Sequence, residues 1–290
     1  MALPTPSPSG FFQIPNGGFE SGATGWVTNS NASIVNESAM SGSWCVKVSN
    51  SLSGEFAGDG TVTTASRYPV LPGQSIQVTA AGQSLVGTPG TSFNVGLGWF
   101  DASGTLLSTN FGNQVRRQDI GAAKGSVSVT AAAPANAAYV DVTGFMNHAG
   151  SGLNTIYMDN FSWNYTFPVV VTLSQPGSSF TELDEIPFRL NVSGLPSGIT
   201  VTSVNYRYLT WDGADYTGDT SLTTTTESPF SFNAPAMAED KYAGYALVTL
   251  SNGIVLTTAS RLFEVSDDPT PPADQREYRA SNAYTYLVLS

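Results

Sequence analysis

Residues 93–100 read FNVGLGWF, in which bulky apolar residues alternate with small or polar ones. A period of two residues is the pattern of a β-strand that turns one face to a hydrophobic core. The same alternation recurs in SIQVTAAGQSL at residues 75–85 and in AAYVDVTGF at residues 137–145. Turn signals such as LPGQ, DASG and APAN separate these runs. The sequence therefore predicts an all-β fold.

The composition agrees with that prediction. The chain has 290 residues, which is enough for about two domains, and 41% of them are hydrophobic. Only 11% are charged, whereas 29 residues are glycine, a balance typical of many short strands and turns. No long window has the 3.6-residue period of an amphipathic helix.

The charge balance excludes one class of partner. The chain has 11 Lys and Arg against 22 Asp and Glu, a formal net charge of −11. Binding to nucleic acid relies on clustered Lys and Arg that neutralise phosphates. We therefore expect neither a nucleic acid nor an anionic membrane surface as a partner.

Cysteine usage and the start of the chain bear on where the protein folds. Cys45 is the single cysteine, so no intrachain disulfide forms, and we interpret it as a small hydrophobe in a strand. The first fifteen residues have neither the basic nor the apolar segment of a secretory signal. No run of about 18 apolar residues follows. We expect no membrane insertion, and folding in a cytoplasm.

The pattern of runs divides the chain into four segments. Residues 1–10 are an extended arm rich in Pro and Ser. Residues 11–166 are expected to form a jelly-roll β-sandwich, and residues 167–267, with about seven short strands, an immunoglobulin-like β-sandwich. Residues 268–290 contain a Pro-rich linker and the apolar run AYTYLVLS. That run either frays or adds to a sheet edge of its own chain or of a neighbour.

Four pieces of the first block, in order along the chain, resemble carbohydrate-binding modules with a galactose-binding-like jelly roll. They are NGGFESGATGW (16–26), SGSWCVKV (41–48), GWFDASGTLL (98–107) and TIYMDNFSW (155–163). The second block resembles immunoglobulin-like repeats of bacterial surface and phage proteins, through VTLSQPGSSFTELDEIPFRLNVSG (171–194) and TTASRLFEV (257–265). The second resemblance implies a fold and says little about function.

The first resemblance implies a structural calcium ion. In many such modules a calcium ion ties the first strand to the last, and Glu20 and Asp159 occupy the positions that would supply carboxylate oxygen. Backbone carbonyls near Ser41 and Ser43 would complete the shell, because calcium takes six to eight oxygen ligands. The alternative is that Glu20 caps backbone N–H groups without a metal.

Strand alternation predicts a candidate glycan groove. Sugar sites usually combine an aromatic face with amide and carboxylate groups. If the branched residues and Trp99 turn inward, the opposite face carries small, amide and aromatic side chains. These are Gln77, Thr79, Asn94, Gly96, Gly98, Phe100, Tyr139 and Asp141. The two glycines would leave an open trough, with Asn113, Arg116 and Arg117 in a loop at its rim. The alternative is a solvated sheet face, or one covered by the second domain.

The inventory of reactive residues argues against catalysis. His148 is the single histidine, so neither a Ser-His-Asp nor a Cys-His arrangement has support. A glycosidase needs only two carboxylates, but nothing in the sequence marks such a pair. We expect a protein that is not an enzyme.

Three functions fit this reading. The first is a virion surface or structural protein, such as a phage tail appendage, fibre or capsid decoration, that assembles in the host cytoplasm and touches host glycans. The second is an accessory carbohydrate-binding region of a secreted glycoside hydrolase or a cell-surface adhesin. The third is a purely structural spacer. We favour the first, with residues 1–10 and 280–290 contacting other virion proteins or other copies in a homo-oligomer or larger assembly.

Overall fold

The structure is a computed structural model that describes residues 14–50, 60–87, 91–116, 123–147, 153–174, 177–226 and 229–266. The arm at residues 1–10, the segment at residues 268–290 and His148 lie outside these ranges. The described residues form strands and turns throughout, arranged as two β-sandwiches, so the predicted fold class is confirmed. Within them, no helix is long and apolar enough to cross a membrane.

The first sandwich contains twelve strands. In chain order they are β1 (Trp26–Thr28), β2 (Ala32–Val35), β3 (Cys45–Asn50), β4 (Thr61–Thr64), β5 (Tyr68–Pro69), β6 (Ser75–Val86), β7 (Ser92–Phe100), β8 (Leu106–Phe111), β9 (Val115–Arg116), β10 (Lys124–Ala132), β11 (Tyr139–Asn147) and β12 (Asn154–Thr166). One sheet has the order β1-β4-β11-β7-β8, with β5 beside β11 and β9 beside β7. The other has the order β10-β6-β12-β3-β2. All pairings are antiparallel, as in a jelly roll.

Alternation along the strands builds the core between these two sheets. Val95, Leu97 and Trp99 of β7 are fully buried, as are Val140 and Val142 of β11. Their burial follows from the period of two, because alternate residues of a strand share one face. Burial departs from simple alternation at the ends of two strands. Ala137 rather than Ala138 is buried, because β11 begins only at Tyr139, and Trp44, just before β3, is 37% exposed.

The second sandwich contains nine strands. They are β13 (Val170–Ser174), β14 (Ser179–Thr181), β15 (Ile186–Ser193), β16 (Val201–Trp211), β17 (Tyr216–Thr225), β18 (Ser231–Ala234), β19 (Asp240–Leu250), β20 (Val255–Thr257) and β21 (Arg261–Ser266). One sheet has the order β13-β15-β18, and the other has the order β14-β21-β19-β16-β17 with β20 beside β19. The strand β14 is parallel to β21.

The second sandwich consists of two sheets that share one hydrophobic core, and its assignment as an immunoglobulin-like domain stays a prediction. At the start of β19 the hydroxyl of buried Tyr242 donates a 2.8 Å hydrogen bond to the carbonyl of Ala238. A tyrosine that bonds back to the chain a few residues upstream is the tyrosine corner of such domains. It ties the start of β19 to the preceding loop without a disulfide.

The two sandwiches meet around one turn of the first. Leu71, in the turn before β6, is fully buried and belongs to the hydrophobic core of the second sandwich. Asn252 Nδ2 donates a 3.3 Å hydrogen bond to the carbonyl of Val70. Phe167 packs against both cores. The second core is therefore completed by a side chain of the first sandwich.

Candidate functional site

The outer face of the seven-stranded sheet collects most of the predicted glycan residues. Residues of β11 and β7 lie directly opposite each other in four relevant pairs. The pairs are Tyr139 with Phe100, Asp141 with Gly98, Thr143 with Gly96, and Phe145 with Asn94. Opposed residues of an antiparallel pair share a face, and the alternate residues Val140 and Val142 point into the core. Asn94, Phe100, Tyr139 and Asp141 therefore share the outer face.

Gln77 does not belong to this group, so the prediction was wrong for this residue. It lies on β6, opposite Thr130 of β10 and Asn164 of β12, in the five-stranded sheet. Thr79 is in the same sheet, where its hydroxyl lies 2.8 Å from that of Ser162. The reason is topological, because alternation assigns a residue to a face of its strand but not to a sheet.

The predicted open trough over the two glycines is also wrong, because neighbouring side chains cover both of them. A Cβ placed on Gly98 would overlap Oδ1 of Asp141, and one on Gly96 would lie 3.1 Å from the ring of Phe111. Asn94 and Phe100, at the two ends of the same stretch, are buried. The glycines therefore let side chains of β11 and β8 close over β7.

Arg67 explains why Phe100 is buried. Its guanidinium carbon lies 3.5 Å from the centroid of the Phe100 ring, and its Nη1 donates a 3.0 Å hydrogen bond to the carbonyl of Gly104. The same cation acts on Asp141. Burial raises the pKa of the Asp141 carboxyl above its ordinary value, and the charge of Arg67 and a hydrogen bond from the Gly98 N–H partly offset that rise. The sequence gives no sign of Arg67, which lies outside the periodic runs.

Two aromatic rings remain open to solvent on this face. Phe111, at the end of β8, is 61% exposed, and its ring meets Phe145 edge-on at 5.1 Å between centroids. Tyr139 is 37% exposed. Thr143, on β11 opposite Gly96, places its hydroxyl 3.1 Å from that of Thr63. We call this surface the aromatic face and define it as Phe111, Tyr139, Asp141, Thr143 and Phe145.

The predicted rim residues have different environments. Asn113 Oδ1 accepts a 3.0 Å hydrogen bond from the N–H of Ser128, which lies on β10 of the opposite sheet. Its side chain therefore joins the two sheets at their edge. Arg116, on β9, is exposed, and Arg117 lies outside the described residues.

The four predicted calcium residues do come together, in a loop that we call the carboxylate loop (Glu20, Met40–Trp44 and Asp159). Glu20 Oε1 accepts hydrogen bonds from the N–H groups of Ser43 at 2.9 Å and Trp44 at 3.0 Å. Asp159 Oδ2 accepts from the N–H groups of Met40 at 2.8 Å and Ser41 at 3.0 Å. The turn that directs these groups is made at Gly42, whose φ is +62°.

Two carboxylates in one loop have an electrostatic consequence. Asp159 is fully buried. Burial raises the pKa of its carboxyl, the three N–H groups of Ser41, Asn160 and Met40 oppose the rise, and the charge of Glu20 adds to it. These N–H donors therefore stabilise the ionised form of the buried Asp159 carboxyl.

This donor set does not fit calcium. Calcium requires oxygen ligands, but the backbone groups of Met40, Ser41, Ser43 and Trp44 that face the carboxylates are N–H donors. Within the described ranges, no group of three His, Cys, Asp or Glu side chains is placed to hold a metal. The N–H groups are those expected of the capping alternative, and calcium stays a prediction that a metal titration would test.

The glycine-rich segment NGGFESGATGW is held by packing and by one amide. Phe19 and Trp26 are buried with ring centroids 5.2 Å apart, and both contact Phe161 of β12. The Asn16 side chain donates to the carbonyl of Gly22 at 2.8 Å and accepts from the N–H of Ser21 at 2.9 Å. These contacts hold the glycine-rich segment in place.

No protein-family model matches this sequence, and no curated protein does. Solved structures with a similar fold include a family 16 carbohydrate-binding module, at 18% identity over 52% of this chain and 98% of that chain, with a TM-score of 0.38. The CBM22-1 xylan-binding domain of Paenibacillus barcinonensis Xyn10C is 12% identical over 57% of this chain and 97% of that one, with a TM-score of 0.39. The enzymatically active domain of bacteriophage CBA120 tailspike protein 4 is 13% identical over 53% of this chain but 21% of that one, with a TM-score of 0.40. At these identities and TM-scores, the likenesses do not indicate what this chain binds.

Proposed function

We propose that this protein is a non-catalytic carbohydrate-binding protein and that the aromatic face is its binding surface. The observation that carries the proposal is the exposure of Phe111 on a sheet whose other large apolar side chains are mostly buried. An aromatic ring open to solvent offers its face to the C–H groups of a pyranose. Tyr139 supplies a second ring of the same surface, six residues along β11 from Phe145.

The polar groups of the face favour an uncharged saccharide. Asp141 and the hydroxyls of Thr143 and Thr63 offer acceptors and donors for sugar hydroxyls. The positive charge of Arg67 acts on the Asp141 carboxylate, so the charges nearest the rings balance. A strongly anionic glycan would meet a chain with a net charge of −11 and is disfavoured.

The setting that we propose is the surface of a phage particle, with an accessory region of a secreted glycoside hydrolase or an adhesin as the alternative. A Lys-poor, Ser- and Thr-rich acidic chain built of two β-sandwiches suits a protein exposed in quantity outside cells. The expected contacts with virion proteins or other copies, through residues 1–10 and 280–290, lie outside the described residues and stay predictions.

Binding to immobilised and soluble glycans tests the proposed function. A glycan array identifies the ligand class, and titration calorimetry then compares the wild type with Phe111→Ala, Tyr139→Ala and Asp141→Asn. We expect each aromatic variant to weaken binding between about twofold and tenfold, since an aromatic ring contact is worth about 0.5–1.5 kcal/mol.

Trp44→Ala is the matched control, because Trp44 has the same 37% exposure as Tyr139 but belongs to the carboxylate loop and not to the aromatic face. It should bind as the wild type does. No binding to any neutral glycan, or equal losses in Trp44→Ala and Tyr139→Ala, would contradict the proposal.

A further inference from the structure

The second sandwich has an apolar cavity of about 300 Å³ at one of its open sides. It lies between β13 of one sheet and β20 and the start of β21 of the other. Its lining is mainly apolar and includes Phe167, Val169, Val171, Leu173, Leu256 and Arg261. The core of this sandwich is therefore accessible from one side.

The strands on both sides of the cavity are sheet edges. Among the described residues, β13 pairs only with β15, and β20 pairs only with β19. Arg261 Nε donates a 2.8 Å hydrogen bond to the carbonyl of Leu173, so a side chain rather than a strand bridges the gap there. An unpaired strand edge is a template for pairing with another extended segment.

The side chains of β13 mark which face of an added strand would be buried. Val169, Val171 and Leu173 are buried, whereas Val170, between the first two, is 56% exposed at the margin of the cavity. An added strand would turn one set of alternate residues into the cavity and the other toward solvent beside Val170. A suitable occupant therefore needs an apolar set in the period of two.

We propose that residues 283–290 of this chain, AYTYLVLS, occupy this cavity by adding as a strand to the edge of β13. The segment contains no charged residue, Pro or Gly, as an added strand requires. Its alternate residues Leu287 and Leu289 fill the cavity, and Tyr284, Tyr286 and Val288 face outward. Backbone pairing supplies affinity, and the apolar set gives register.

The connection is long enough for docking within one chain. Arg261 lies at the cavity, and Ser266, at the other end of β21, is five residues or about 17 Å further along. Residues 267–282 then supply sixteen residues, which span up to about 50 Å when extended. A tether of this kind gives an effective concentration on the order of millimolar, so the chain's own segment outcompetes that of a neighbour.

Disulfide trapping tests this docking. Val170→Cys is combined in turn with Tyr284→Cys, Tyr286→Cys or Val288→Cys, because these three residues share the outward face of the added strand and shifts of two residues keep that face outward. The native cysteine does not compete, since burial raises the pKa of the Cys45 thiol to about 12. Trypsin can cleave after Arg279, and the mass of the non-reduced product shows whether residues 280–290 remain attached.

We expect at least one pair to cross-link within a monomer and to release the peptide 280–290 only on reduction. Leu183→Cys replaces Val170→Cys in the control, because Leu183 is 75% exposed and outside the cavity lining. Cross-linking no greater than in the control, or only between two copies, would overturn the proposal. As a second measurement, removal of residues 283–290 should raise the fluorescence of a dye that binds exposed apolar surface, and unchanged fluorescence would also overturn it.

Discussion

The guanidinium carbon of Arg67 lies 3.5 Å from the centroid of the Phe100 ring, and this contact joins a residue outside the strands to the residue opposite Tyr139 of the aromatic face. Because Arg67 also lowers the pKa of Asp141 against the effect of burial, Arg67→Ala should raise that pKa further. Carboxyl chemical shifts followed through a pH titration measure the change. Arg67→Lys keeps the positive charge and should shift the pKa of Asp141 less. Equal shifts in the two variants would contradict an effect of the Arg67 charge on that pKa.

Asp141→Asn should stabilise the protein at neutral pH. Burial raises the folded-state pKa of Asp141, so this carboxyl favours the folded state only when protonated, and that contribution is lost as the pH rises through the raised pKa. The neutral Asn side chain avoids this loss, so we expect Tm to rise by a few degrees at pH 7 and to match the wild type near pH 3. In the same variant, glycan affinity should fall.

Asp101 is the control for this pH dependence, because its pKa is shifted in the opposite direction. Hydrogen bonds from the Ser103 hydroxyl and the Thr105 N–H lower the pKa of Asp101. That carboxylate stabilises the fold above its unfolded pKa, and the effect is lost as the pH falls. Asp101→Asn should therefore lower Tm at pH 7, and a rise in Tm like that of Asp141→Asn would contradict the lowered pKa of Asp101.

Gly42→Ala should disrupt the carboxylate loop. Gly42 has a φ of +62°, and an added Cβ would overlap the carboxylate of Glu20. Gly22→Ala is the matched control, because Gly22 has a φ of +65° and no atom within 4 Å of the added Cβ. Both substitutions place a side chain at a positive φ, so the free energy of unfolding should fall in both variants. The additional decrease in Gly42→Ala measures the loss of the Glu20 hydrogen bonds and should be at least about 1 kcal/mol. Denaturant unfolding measures it, and equal losses would contradict the role of Glu20.

Chelation should leave the stability of the wild type unchanged. The carboxylates of the loop accept N–H donors from Met40 to Trp44, and these groups are satisfied without a cation. We expect the same Tm in a chelator and in millimolar calcium, and a lower Tm for Glu20→Gln in both. A rise of several degrees with calcium, absent in Glu20→Gln, would instead support the calcium that the family resemblance implies.

Tyr242→Phe should destabilise the second sandwich by about 1 kcal/mol, because it removes the 2.8 Å hydrogen bond that the Tyr242 hydroxyl donates to the carbonyl of Ala238. Tyr208→Phe is the comparison, since the Tyr208 ring contacts Tyr242 but its hydroxyl makes no hydrogen bond within the described residues. Thermal unfolding should separate the two variants.

The alternation of apolar and polar residues predicted the strands and their inward residues. It could not predict the sheet to which a strand belongs, because that depends on which strands pair. It placed Asn94, Phe100, Tyr139 and Asp141 on the outer side of their strands, as the register of β7 and β11 has them. It could not assign Gln77 to a sheet, because that depends on which distant strands pair with β6.

The aromatic face also shows which contacts a sequence leaves hidden. The hairpin signal DASG places β8 beside β7, and could have drawn attention to Phe111. Nothing comparable marks Arg67, whose role arises from a loop that meets Phe100. At the carboxylate loop, the resemblance selected four residues that do meet, but whether the chain presents N–H or carbonyl groups depends on the backbone at Gly42.

Leu71 makes the stability of the second sandwich depend on the first. Because Leu71 completes the hydrophobic core of the second sandwich, that sandwich produced without residues 1–166 would have a cavity in place of the Leu71 side chain. The loss of a large buried side chain destabilises a core by about 2–5 kcal/mol. The two sandwiches are therefore poorly suited to separate transfer into other proteins, whether by natural recombination or by cloning. Grafts that transplant either half should carry the LPGQ turn or a surrogate for it.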